Sequence, residues 1–210
     1  MSLSTNNLIS IVSFFDDFEA LKMFTLINKK CRRVLFQLKE NPISLTDHTA
    51  LIFSTFEKQN IFTYEDEHFF GVTKFVYHCP VCYSYYNEMK GNRYIFKHVV
   101  YTSRDRRRFG DYVPRGVTDI GFDSFLMSEI QTLAIPTSVT SIQNNAFEKC
   151  SKLVSLELPS RLISLGAEAF MGCSSLTRLD TPKCLTFVGF SCFDGCSNLK
   201  NPPVVSNKII

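Results

Sequence analysis

Eight cysteines and four histidines are the side chains of this 210-residue chain best suited to bind metal, form a thiolate or move a proton. Cys79 and Cys82 form a C-x-x-C, a spacing that serves zinc sites and dithiol redox sites. A structural zinc needs a second pair at suitable spacing. None follows, because Cys31 falls in a helical stretch and the other five cysteines stand at or beyond position 150. A thioredoxin-like site needs a βαβ setting, which this stretch lacks. Two ordinary turn cysteines are therefore expected. Cys150, Cys173 and Cys196 recur every 23 residues. Stacked coils would place them about 5 Å apart, close enough for a disulfide or a metal ladder. Three in a row cannot all pair, and small buried thiols fill core slots well, so core packing is the expectation. His48, His68, His78 and His98 all lie outside the regular repeats, with no nucleophile or phosphate loop beside them. The expectation is a non-enzymatic chain with no catalytic, metal or cofactor residues.

Two basic clusters, Arg104-Asp-Arg-Arg-Arg108 and Lys29-Lys-Cys-Arg-Arg33, carry the other concentrated chemistry. Each has the charge to meet phosphate, an acidic partner or an import receptor. Neither has an aromatic platform or a glycine-rich cradle beside it, so the first is expected as a solvated turn and the second as a solvated helix face. The net charge of +3 is unevenly placed, and residues 114–205 carry seven Lys/Arg against eight Asp/Glu. That near-neutral half has no nucleic-acid footprint.

The elements that hold these groups announce themselves by repetition. Residues 138–159, 160–182 and 183–203 are three copies of one line. Phe147, Phe170 and Phe193 keep a 23-residue period, as do Leu153, Leu176 and Leu199. A looser copy runs from Gly116 to Pro136, with Phe125 in the aromatic slot. A fixed period of this length signals a leucine-rich-repeat solenoid. Within one copy, Leu153, Leu156 and Leu158 follow L-x-x-L-x-L. Leu156 and Leu158, two apart on a strand, point to one face while Ser155 and Glu157 point to the other. Pro159 stops the strand, Leu162 and Leu165 return an apolar pair on the opposite side, and Phe170 plugs the wide end of the core. A lone coil loses more backbone entropy than its few buried side chains return, so coils must stack and their ends need caps. Thr181 replaces a strand leucine in the third line, and Pro202 and Pro203 interrupt the last strand. The solenoid is expected to end near Val205.

Upstream, Leu8, Ile11, Val12 and Phe15 have helical spacing, and Asp16 or Asp17 can cap the next helix. That helix carries Phe18, Leu21, Phe24 and Ile27. Val34, Leu35 and Leu38 form a third apolar set ended by Asn41-Pro42. Three β-prone runs follow, at 60–64, 74–78 and 98–102, read as degenerate coils that add strands to the same sheet. The expected fold is an α+β solenoid, a leucine-rich-repeat β-solenoid with an N-terminal helical cap. Its parts are the cap over 1–42, degenerate coils over 43–113, regular repeats over 114–205 and a tail at 206–210. The first 20 residues lack a basic n-region and an unbroken apolar run, and no run reaches 18 apolar residues, so neither a signal peptide nor a membrane span is expected. With no N-x-S/T sequon and thiols read as free, a cytosolic setting is expected.

The repeat line A-F-x-x-C-S-x-L-x-x-L-x-L-P-x-x-L-x-x-I/L-G closely resembles the BspA-like leucine-rich repeats of bacterial surface proteins and amoebozoan parasites. Asn41–Leu45, Tyr64–Glu67 and Val100–Arg106 resemble the leader of the amoebozoan members. The resemblance implies a non-catalytic protein-interaction role, with surface exposure possible without a signal peptide. Residues 8–35 resemble an F-box, lacking its Leu-Pro opening and the Trp after its basic pair. That resemblance implies a substrate adaptor of a cullin ubiquitin ligase. Under the leading reading, a protein partner meets the outward side chains of the strand face: Thr132, Ala134, Ser155, Glu157, Arg178 and Asp180. This small face of mixed charge predicts polar recognition rather than a deep pocket.

Overall fold

The computed structural model describes residues 4–15, 17–27, 29–35, 37–45, 56–69 and 71–203, without the side chains of Phe18 and Arg32. Asp16, the Phe18 ring, His48, Val205 and the 206–210 tail lie outside the described residues. Helices α1 (Thr5–Val12), α2 (Phe18–Ile27) and α3 (Lys29–Leu35) come first. Strands β1 (Lys58–Ile61), β2 (Lys74–Tyr77) and β3 (Val81–Cys82) lead to α4 (Tyr83–Met89), β4 (Tyr94–Phe96), β5 (Val99–Tyr101) and α5 (Ser103–Phe109). The repeats supply β6 (Asp119–Ile120), β7 (Thr132–Ala134), β8 (Ser141–Ile142), β9 (Ser155–Glu157), β10 (Ser164–Leu165) and β11 (Phe187–Val188). These elements fall into two compact units, residues 1–80 with 89–97 and residues 81–88 with 98–210.

In the first unit the helices start where short polar side chains can satisfy free backbone donors. Ser4 accepts the N–H of Asn7 at 3.2 Å, and Asp17 accepts the N–H of Ala20 at 2.7 Å. Leu8, Val12, Leu21, Phe24, Val34 and Leu35 form one buried cluster, with Phe15 and Leu38 packed against it. Ile27, read as part of the apolar stripe, is exposed. The third helix stops at Leu35, six residues before Asn41. Asn41 is instead a latch. Fully buried, it donates from Nδ2 to the carbonyls of Ile43 and Asn60, both at 2.7 Å, and its Oδ1 accepts the Asn60 N–H at 2.6 Å. These bonds tie the segment after the helices to β1, which pairs in parallel with β2, and β2 with β4.

The second unit holds a parallel six-stranded sheet in the order β11-β10-β8-β6-β5-β3, and a parallel pair β7-β9. Register follows the sequence period. Ser141 faces Ser164 and Ser164 faces Phe187, each 23 residues on. The expectation of a single sheet through the middle segment is corrected. Residues 98–102 do join the six-stranded sheet, through β5, but β1 and β2 belong to the separate three-stranded one. The reason is the bend at Cys79-Pro80, after which the chain passes from β2 to β3 and changes sheet.

The core of these coils is a ladder of rings. Phe125 and Phe147 stack at 5.0 Å, Phe147 and Phe170 at 5.2 Å, and Phe170 and Phe193 at 5.7 Å, with interplanar angles of 12°, 4° and 7°. Tyr101 adds a further rung against Phe125 at 6.0 Å and donates its hydroxyl to the Gly110 carbonyl at 2.8 Å. Leu153, Leu162, Leu165 and Leu176 are buried beside the ladder, whereas Leu158 is only half-buried. Coils approach so closely at Gly166 and at Gly189 that only glycine fits. A Cβ on Gly166 would lie 2.4 Å from the Asn144 nitrogen and 2.6 Å from the Gln143 carbonyl carbon. Both are backbone atoms that cannot swing aside. Gly166→Ala is therefore expected to lower the unfolding free energy by about 1–3 kcal/mol, read from the denaturant midpoint. An unchanged midpoint would mean that the coils have slack there.

Candidate protein-interaction surface

The thiols of the repeat are built into the ladder. Cys150 Sγ donates to the Phe125 carbonyl at 3.0 Å, Cys173 to Phe147 at 3.1 Å and Cys196 to Phe170 at 3.1 Å. Each thiol thus ties its coil to the aromatic residue of the coil before. Hydrogen bonding with Cys150 and Cys196, reinforced by burial, holds the Cys173 thiol well above its usual range. Burial pushes Cys192 up to about 12. Cys79 is buried and likewise raised, while Cys82 is half-buried. Cys79, Cys173 and Cys192, held protonated in this way, are poor nucleophiles and poor metal ligands.

The histidines hold structural positions. His68 Nε2 lies 2.7 Å from the Tyr77 hydroxyl, and burial, then the Arg93 charge, lowers its pKa. His78 stacks on Phe62 at 4.9 Å and reaches Asn60 Oδ1 at 3.1 Å. His98 Nδ1 is 3.7 Å from Asp119.

The basic cluster at 104–108 is not a turn. It is helix α5, opened by a capping box in which Thr102 and Asp105 exchange hydrogen bonds. Two of its four arginines are engaged. Arg106 pairs with Asp111 and lies over the Phe125 ring at 5.3 Å, and Arg108 pairs with Glu88 at 3.0 Å. At the other cluster, Lys29, Lys30 and Arg33 are exposed on or beside α3.

The strand face is assembled by the 23-residue register. Thr132 pairs with Ser155 and Ala134 with Glu157 across β7 and β9, and a single bridge joins Ser155 to Arg178. Among the described residues the third coil makes only that bridge on this side, where Thr181 interrupts the leucine pattern. All six side chains are exposed. Ser155, Glu157, Arg178 and Asp180 come together with Leu156 and Leu158 around a cavity of about 550 Å³, while Thr132 and Ala134 stand outside it. Arg178 and Asp180 form a two-pronged pair, Nε to Oδ1 and Nη2 to Oδ2, both at 2.9 Å. The Asp180 hydrogen bond raises the Arg178 pKa, so this guanidinium keeps its charge but is already matched. Glu157 has no such partner among the described residues, which leaves the floor of the cavity net acidic. The sequence reading placed nothing on the outward side of the six-stranded sheet. The available signal was Phe187, which breaks the column occupied by Ser141 and Ser164.

Parallel coils in a fixed register, an aromatic ladder at one end of each coil and short strands on a polar face define a leucine-rich-repeat region. The family model for the BspA type leucine rich repeat region matches residues 114–209 in six copies. Leucine-rich repeats of this kind are in general non-enzymatic scaffolds for protein contacts. A leucine-rich repeat protein from Bacteroides ovatus ATCC 8483 is similar at 21% identity over 79% of this chain, with a TM-score of 0.40. The chain spans 37% of that protein's length. No curated protein matches the chain. Among the described residues no helix is long and apolar enough to cross a membrane.

Proposed function

We propose that the chain is a non-catalytic protein-interaction solenoid that holds a protein partner on its strand face, through Thr132, Ser155, Glu157, Arg178 and Asp180. In this reading residues 1–42 serve as a helical cap, 43–113 as degenerate coils and 114–205 as the regular repeats, in a cytosolic setting. The observation that carries it is the convergence of Ser155, Glu157, Arg178 and Asp180 on one cavity. Since Arg178 is matched by Asp180, Glu157 is the charge left to recognise a partner, which should bring a Lys or Arg to it. Proximity labelling with the intact chain identifies partners in cells. Their binding to the purified chain should fall at least about tenfold in Glu157→Lys, while Arg178→Ala costs less. Partners bound equally well by Glu157→Lys would place the site elsewhere.

A second reading has one observation in its favour. Met23, Leu26 and Ile27 are 61%, 70% and 68% exposed on α2. Spaced i, i+3, i+4, they form an apolar row of the kind that docks a helix. An F-box-type adaptor role for residues 8–35 would use this row, and it fails if the intact chain does not pull down the cullin adaptor.

A further inference from the structure

The outward side of the six-stranded sheet carries a second cavity, of about 330 Å³, lined by Phe122, Ser141, Gln143, Asn144, Ser164 and Phe187. The space exists because Gly166 stands where the preceding coil carries Gln143. Its polar groups have a defined orientation. Gln143 Oε1 accepts the Phe122 N–H at 3.1 Å, and Asn144 Oδ1 accepts the Ala167 N–H at 3.0 Å. With each oxygen held by a backbone donor, both amides are fixed and both NH₂ groups are left to donate. The Ser164 hydroxyl donates to Ser141 at 3.1 Å, which leaves the Ser141 hydrogen over as a third donor. Among the described residues none of the three has a protein acceptor, and no charged side chain lines the cavity. Phe122 and Phe187 flank it with rings 58% and 57% exposed. They belong to coils three strand spacings apart, about 14 Å at about 4.8 Å per strand.

We propose that this cavity binds a proline-rich segment of a protein partner in the polyproline II conformation. Proline offers carbonyl acceptors and no N–H, which complements a site of unpaired donors. Its ring packs on aromatic walls, and the pre-extended backbone loses little entropy on docking. At about 3.1 Å per residue, roughly four to five residues bridge the two phenylalanines. A phosphate or an acidic peptide meets no counter-charge here. A neutral sugar stacks on such rings as well, and the test below separates it from a proline-rich segment. The proposal rests on the protein-binding reading but not on the face around Glu157.

The test is an NMR titration of the ¹⁵N-labelled intact chain with a blocked decaproline peptide. The side-chain NH₂ signals of Gln143 and Asn144 should shift and saturate with Kd below about 1 mM. Phe187→Ala and, on a different coil, Phe122→Ala should each weaken binding at least about tenfold with no change in Tm. Glu157→Lys should bind decaproline as wild type does, so loss of the strand-face reading and loss of this one are separable. The proposal is overturned if neither NH₂ signal moves at millimolar decaproline. It is equally overturned if triacetylchitotriose moves them and decaproline does not, or if both phenylalanine variants bind unchanged.

Discussion

Phe170→Ala is expected to lower the unfolding free energy by about 3–5 kcal/mol, measured by denaturant melts of the intact chain. The ring is fully buried between Phe147 at 5.2 Å and Phe193 at 5.7 Å, nearly parallel to both. Truncation removes the transfer free energy of the ring and leaves a cavity between two coils. The coils cannot close over it, because their separation is set by backbone bonds on either side, such as Phe170 N–H to the Cys192 carbonyl at 2.9 Å. The neighbouring rungs also lose their stacking partner. Phe193→Ala is the informative comparison. Phe193 is only half-buried and is the last rung of the described ladder, so its loss should cost clearly less. Equal effects would mean that stacking, rather than burial, sets the energy.

Asp105→Ala should cost a similar amount, about 3–5 kcal/mol, through a different mechanism. Asp105 is fully buried and serves two helices at once. It accepts the backbone N–H groups of Tyr83 at 3.2 Å and Ser84 at 2.8 Å, at the start of α4, together with the Ser84 hydroxyl. It also accepts the Thr102 N–H at 3.0 Å and hydroxyl at 2.7 Å, at the start of α5. Removing the carboxylate strands these donors away from water, and each helix loses a cap. Burial pushes the Asp105 pKa up, but the hydrogen bonds from Ser84 and Thr102 outweigh it and hold the group below the ordinary aspartate range. A carboxyl whose folded pKa is depressed adds stability that is complete above the unfolded pKa and is lost as pH falls through the folded one. Wild-type stability should therefore decline below about pH 4, and Asp105→Asn should show a flatter profile there. Parallel acid profiles would remove this carboxylate from the account.

The two substitutions differ in how visible they were. Phe170 could be chosen from the sequence, since Phe147, Phe170 and Phe193 announce a shared slot by period alone. Tyr101 holds the same slot and was missed, because its spacing of 24 residues to Phe125 departs from the period and its ring carries a hydroxyl. Thr102-x-x-Asp105 was legible as a capping box and would have turned the basic turn into a helix. What no local pattern could show is that the same carboxylate caps α4, some 20 residues upstream, in a segment of tyrosines with weak helix propensity. On the strand face, the alternation of Ser155, Leu156 and Glu157 predicted which side chains point outward. It did not predict that Asp180 neutralises Arg178 and leaves Glu157 alone.

By itself the sequence determined the coil. Apolar residues at fixed spacing point to one side of each coil, and the period repeats that arrangement so that stacked coils take them out of water together. Tertiary structure decided what depends on distance between coils. Gly166 is required by an approach of backbone to backbone, Asn41 by a strand it must reach 19 residues away, and Asp105 by two helix ends that meet only when folded. Hydrogen bonds and ion pairs are directional and short-ranged, so they are settled last, once burial has brought their partners together.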